Sequence, residues 1–268
     1  MNLDCDLHVY TFHSPCGQPE MLPAEIVRTA AERGIRRLGI VDHLYPFTDL
    51  GIFDDVRAAV AETCSATDGS TEVYFGCEVE IMAPGRTAGG PELAERFDFL
   101  MVAATHFQNT GITDLPTAKD DESIARHYFK MFEYAVSLTW ADTVAHPFFV
   151  IPGVCSPGIL DLIRDPDLLP ALELAKENNV AMEISPRVFW PGQLDFSTRF
   201  YRLAKKVGLK FTVGSDAHKL DDVGNVHILA PLLAELGLTE KDLWSPQSKT
   251  CQRRFTKEKE DMPCKGLP

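Results

Sequence analysis

At 268 residues with 45% hydrophobic content, the chain is long enough to bury a sizeable core and fits one large α/β domain better than two small ones. A net charge of −13, with basic residues scattered apart from the RGIRR run at Arg33 and the C-terminal tail, argues against a long nucleic acid as partner while leaving room for a small anionic substrate. No basic segment followed by an apolar one opens the sequence, no stretch approaches the ~20 apolar residues of a membrane span, and seven dispersed cysteines suit reduced thiols, so the expectation is a cytoplasmic protein without membrane contact.

Taken in chain order, strand-like apolar runs fall at Asp4–Val9, Arg37–Val41, Glu72–Ile81, Phe97–Ala103, Thr143–Ala145, Val180–Ile184 and Lys210–Val213. Helical patterns alternate with most of them. The first begins at Pro23, where proline suits the opening turn, and stops at Gly34. Others are predicted over Asp54–Ser65, Asp121–Leu138, Pro166–Asn178, Thr198–Val207 and Asp222–Leu236. Seven strands alternating with helices point to a parallel barrel or a doubly wound sheet. The Gly- and Pro-rich segment APGRTAGGPE from Ala83 reads as an active-site loop. From Gln247 the apolar periodicity is lost, which predicts one domain over residues 1–246 and a charged, flexible tail over 247–268.

Six short segments carry the chemistry: DLHVYT at Asp6, VDH at Val41, GCEVE at Gly76, ATH at Ala104, AHP at Ala145 and GSDAH at Gly214. Each follows or ends a predicted strand, where α/β folds build their active sites. Side chains two apart on a strand share a face, so His8 projects with Tyr10, and Glu78 with Glu80. A carboxylate such as Glu78 inside a buried strand is costly unless it is paired or holds a cation. Imidazole suits Zn, Mn or Fe, and a carboxylate can bridge two ions. A lone histidine in an apolar setting is more often a hydrogen-bonded core residue, and His127 and His227, away from strand ends, keep that reading.

This ordered set resembles the PHP (polymerase and histidinol phosphatase) family of metal-dependent phosphoesterases, and the match runs from Asp6 to His218. The resemblance implies a distorted seven-stranded (β/α)7 TIM-like barrel holding two to three divalent ions. It assigns His8, Glu78 and Asp216 to one ion, Glu78, His106 and His146 to a second, and His43 with His218 to a third. Two positions depart from the family's pattern. Tyr10 stands where the first motif has its second histidine, and Cys16 stands where the third site has a further His or acidic ligand. As a thiolate Cys16 would be a good zinc ligand. A phenol with an ordinary pKa near ~10 coordinates poorly, so Tyr10 is equally readable as a hydrogen-bond donor to substrate.

The mechanism these residues imply is hydrolysis of a small phosphate ester by a metal-activated water, with Asp216 assisting as proton acceptor and Asp42 orienting a ligand from behind. Arg187, just beyond the strand ending at Ile184, is a candidate phosphate clamp with Phe189 or Trp190 as an apolar wall, and Arg86 is a second such candidate. Tyr10 and Cys16 also motivate an alternative: a PHP-like module that binds metal with weak or no catalysis and serves a regulatory or interaction role. A proofreading exonuclease is disfavoured by the acidic composition.

Overall fold

The computed structural model describes residues 3–66, 70–151 and 153–246; the tail expected over 247–268 lies outside the described residues. Seven parallel strands form one sheet: β1 (Cys5–Val9), β2 (Arg37–Leu44), β3 (Glu72–Ala83), β5 (Phe99–Ala103), β6 (Thr143–Ala145), β7 (Ala181–Ile184) and β8 (Phe211–Val213). A two-residue strand β4 (Arg86–Thr87) pairs antiparallel with the end of β3. The sheet follows chain order from β1 to β8 and curls until its edges meet. Closure is narrow: Val9 bridges Ala217, with Tyr10 N–H donating to the Ala217 carbonyl at 3.1 Å and Ala217 N–H to the His8 carbonyl at 3.2 Å. The architecture is the nearly closed, seven-stranded TIM-like barrel that the sequence led us to expect.

Helices α1 (Pro23–Glu32), α2 (Gly51–Ala66), α3 (Asp121–Ser137), α4 (Asp165–Glu177) and α5 (Leu194–Val207) alternate with the strands along the chain. The helix expected over Asp222–Leu236 is instead broken into 3₁₀ turns at Leu220–Asp222 and His227–Leu229, followed by a short α6 (Ala230–Glu235). Gly224 takes a left-handed φ of 74°, and Pro231 has no N–H to give to a preceding turn, so the helix starts only at Ala230.

Two cores result from strand alternation. Outward side chains such as Val73, Phe75, Cys77, Val79, Leu100, Val102 and Val144 pack against the helices. Inward residues Cys5, Leu7, Val41, Tyr74, Phe99, Met101, Ala103 and Ala145 fill the barrel, with Trp244 packed against them. Further along the same inward faces stand His43 on β2, Glu78 and Glu80 on β3, and Glu183 on β7. β1 needs a device to join them. Its pairing with β2 shifts between Asp6 and Val9, so that Leu7 and His8 face a single opposing residue, Gly39. This bulge lets both Leu7 and His8 turn inward. A Cβ at Gly39 would lie 2.7 Å from the Leu7 carbonyl oxygen, so glycine is what the bulge can pack against.

Candidate metal centre

At the C-terminal end of the strands the inward polar side chains converge on Glu78, which is fully buried. Its Oε1 lies 3.4 Å from His146 Nε2, 3.9 Å from His8 Nε2 and 3.9 Å from His106 Nε2. Its Oε2 accepts from the Tyr10 hydroxyl at 2.6 Å and lies 2.8 Å from His43 Nδ1. The His43 approach lacks hydrogen-bond direction: His43 Nδ1 and Glu78 Oε1 are both buried without a hydrogen-bond partner among the described residues. Orphaned lone-pair atoms in a buried site are costly unless something electrophilic lies between them. Two trios have donor atoms within 4.8 Å of one another, His8–Glu78–His146 and His43–Glu78–His106, and Glu78 belongs to both. By number, type and spacing of donors, these residues fit divalent ions.

The rings are aimed from behind by carboxylates. His8 Nδ1 lies 2.6 Å from Glu183 Oε1, and His106 Nδ1 lies 2.8 Å from Glu80 Oε2, so each presents Nε2 to Glu78. Glu80 is itself held by the Thr113 hydroxyl at 2.8 Å, and Glu183 Oε2 accepts from the His146 backbone N–H at 2.7 Å. Glu183 was not among the residues singled out from sequence. The signal was present in AMEIS: a carboxylate within a buried strand, the same feature that marks Glu78. Asp42 does not touch the His43 ring; it accepts from Thr11 and from the Ser14 hydroxyl at 2.8 Å, and Ser14 Oγ accepts from the His43 backbone N–H at 3.0 Å.

His106 and His146, which the resemblance puts on one ion, both approach Glu78 Oε1, at 3.9 and 3.4 Å, while the two trios pair the histidines across that set. His146 stands with His8, and His106 with His43, while Asp216 lies at the edge with its Oδ1 3.9 Å from His8 Nε2. His218 Nδ1 is turned to the Asp216 carbonyl at 2.8 Å, and Cys16, half-buried, stands outside both trios. Tyr10 is buried between the groups: its hydroxyl is 2.6 Å from His8 Nε2 as well as from Glu78. Arg187 Nε donates to Asp216 Oδ2, its Nη2 approaches His218 Nδ1 at 3.3 Å, and its guanidinium lies over Trp190 and Phe149 at 4.9 and 5.6 Å from their ring centres. Arg86, by contrast, pairs with Asp114 on the surface.

The electrostatics follow from burial and these neighbours. Burial disfavours charge on His8, but Glu183, Asp216 and Glu78 override it and raise its pKa to about 10. His106 is raised to about 9 against its burial, by Glu80 and Glu78. Burial would raise Glu78, yet His43 and His106 hold it well below the usual carboxylate range. Asp216 is lowered to about 2 despite burial, by His8 and Arg187. Burial, then the charges of Glu78 and Asp216, push the Tyr10 phenol and the Cys16 thiol up, so both keep their protons in the ion-free chain. Backbone strain gathers here too: His146 and Asp216, both just past strand ends, take φ of 26° and 56°.

Residues 198–243 match the model of a PHP-associated family. A Vibrio vulnificus (strain YJ016) protein named "Probable phosphatase" is 26% identical over 253 residues, covering 89% of this chain and 87% of the relative. A Thermoanaerobacter sp. (strain X514) protein of the same name is 25% identical over 253 residues, covering 90% and 89%. The histidinol phosphate phosphatase of Lactococcus lactis subsp. lactis Il1403, solved with zinc, L-histidinol and phosphate, superposes with a TM-score of 0.67 at 17% identity, covering 88% of this chain and 94% of that one. The chain is PHP-like in sequence and in fold. In this PHP-like barrel the Tyr10 hydroxyl reaches into the centre, 2.6 Å from both His8 Nε2 and Glu78 Oε2.

Proposed function

We propose that the chain is a metal-dependent phosphoesterase that hydrolyses a small phosphate ester, with one ion held by His8, Glu78 and His146 and a second by His43, Glu78 and His106. The observation that carries this reading is the convergence of four imidazoles on one fully buried carboxylate that keeps an unpartnered oxygen. The names of the curated relatives and the phosphate in the Lactococcus structure point to the same reaction class. When bound, such ions supply Lewis acidity toward a phosphoryl oxygen and lower the pKa of coordinated water toward ~7.

The chain's own residues then have distinct tasks. Glu183 and Glu80 keep the Nδ1–H tautomers of His8 and His106 and so fix their Nε2 atoms inward. Arg187 is anchored to Asp216, through Nε to its Oδ2 and through Nη2 to its carbonyl, which leaves Nη1 to meet a phosphate oxygen at the rim. Asp216, ionised and at the edge of the trios, is placed to take the proton released by the attacking nucleophile. Tyr10 keeps its proton and is a hydrogen-bond donor directed at the centre. His218 and Cys16 flank the site as further donors for a third ion.

Glu78→Ala tests this function. It is expected to lose both bound metal and phosphatase turnover, because Glu78 is common to both trios; turnover retained in that variant would overturn the shared-carboxylate mechanism. Tyr10 also favours a second reading, a metal-binding module with weak or no catalysis, because its phenol already satisfies His8 Nε2 and Glu78 Oε2. Under that reading the metal loss in Glu78→Ala is the same, but no phosphate ester is turned over by the metal-loaded parent chain.

A further inference from the structure

Just past β6 the chain turns through His146, Pro147, Phe148 and Phe149, with His146 at a φ of 26° and Phe148 at 61°. Neither is a glycine, so both conformations are unfavourable on their own and persist only where the surroundings impose them. Pro147 has no N–H to contribute, and within the turn Phe149 N–H donates to the His146 carbonyl at 3.0 Å. Neighbouring elements supply the remaining hold. Phe148 is buried in an aromatic box, its ring centre 4.7, 5.2 and 5.4 Å from those of Phe132, Phe196 and Phe200. Two residues further on, Val150 is gripped by a side chain 43 positions away in sequence. Gln193 Oε1 accepts from the Val150 N–H at 2.9 Å, and Gln193 Nε2 donates to the Val150 carbonyl at 3.0 Å.

The side chain of Gln193 is committed to this contact. Gln193 immediately precedes α5, yet its side chain makes no capping bond to that helix. It is buried, and both ends of its amide go to Val150, which gives a loop residue the equivalent of one rung of a sheet ladder. His146, Arg187 and Gln193 line one small cleft. The same turn carries Phe149, whose ring lies 5.0 Å from that of Trp190 and beneath the Arg187 guanidinium. Resting on the two-ion reading above, we propose that Gln193 is a positioning residue for the metal centre: its clamp on Val150 pins the strained turn so that His146 Nε2 is aimed at Glu78. Glu183 holds the turn where the chain enters it, through the His146 N–H, and Gln193 holds it where the chain leaves. The ion held by His8, Glu78 and His146 then depends on Gln193, and the ion held by His43, Glu78 and His106 does not.

The experiment compares the parent chain with Gln193→Met, which fills similar space without either bond, and with Val60→Ala, a buried truncation in α2 that controls for a general loss of stability. Each is titrated with Mn(II) by calorimetry and then read by electron paramagnetic resonance, where two ions sharing a carboxylate couple and a lone ion gives the isolated Mn(II) pattern. Loss of a contact that orients a ligand predicts that one of the two ions binds roughly ten- to a hundredfold more weakly in Gln193→Met. The coupled signal should give way to the isolated one at ion concentrations that fill the parent, while Val60→Ala keeps the parent's affinities and signal. If Gln193→Met does not fold, Gln193→Glu, which keeps the acceptor for the Val150 N–H and loses the donor, is expected to shift the same ion by a smaller factor. Both ions unchanged, both weakened alike, or the same loss in Val60→Ala overturns the proposal. If the parent holds fewer than two ions, the two-ion reading fails by itself, and histidine-ring NMR of the ion-free chain decides the clamp. His146 signals displaced by the Gln193 substitution with those of His43 unmoved uphold it; His146 unmoved, or both displaced alike, refutes it.

Discussion

At the scale of single residues, the centre depends on two imidazoles that the metal-free chain holds protonated. His8 and His106 are raised from an ordinary 6.5 to about 10 and about 9, so each binds protons more tightly folded than unfolded. Their contribution to stability is complete below pH ~6.5 and is lost as pH rises toward 9 and 10. The chelated protein is therefore expected to melt at progressively lower temperature from pH 6.5 to 10. Ions compete with the same protons, so the stabilisation they add should grow over that range. A melting temperature of the chelated form that climbs with pH contradicts this assignment of charge. Tyr10 makes a second residue-level prediction: Tyr10→His should tighten metal retention in a chelator competition, because an imidazole nitrogen binds divalent ions without first losing a tightly held proton. Retention no better than the parent's means that the phenol is not standing in for a ligand. Glu78 was legible in GCEVE because a buried strand carboxylate calls for a partner; Glu183 carried the same signal in AMEIS, but no recognised motif drew attention to it.

At the scale of elements, the strands were legible because each is a short apolar run ending at a polar motif, and all seven occur at or near the expected positions. Position 222–236 misled because its apolar spacing is helical while Gly224 and Pro231 interrupt the backbone pattern that spacing presumes. The bulge in β1 was invisible, since the sequence marks Gly39 but not the residues it faces. Its consequence is testable. A methyl at position 39 meets Leu7 backbone atoms at 2.7–2.9 Å, which no rotamer change can relieve. Gly39→Ala should cost about 1–3 kcal/mol in thermal or denaturant unfolding and, by displacing His8, weaken metal binding as well. A variant as stable and as well loaded as the parent would show that the bulge does not position the histidine.

At the scale of the whole molecule, the barrel separates its two tasks along its axis. One end is filled by Leu7, Tyr74, Phe99 and Met101 under Trp244, and the other gathers charged groups that no small core could tolerate unaided. Among the described residues no helix is long and apolar enough to cross a membrane. A chain with a net charge of −13 that collects four carboxylates, Glu78, Glu80, Glu183 and Asp216, and four imidazoles around one point is arranged to attract cations rather than anions, so in the proposed reaction recruitment of a phosphate ester depends on the ions and on Arg187. The most direct test is the metal content per chain, read by plasma mass spectrometry on protein purified without chelator and without a metal-binding tag. The account predicts two ions or more per chain, falling to none in Glu78→Ala. A parent chain that stays metal-free after reconstitution with zinc, manganese and iron would contradict it and leave the likeness to PHP phosphatases one of fold alone.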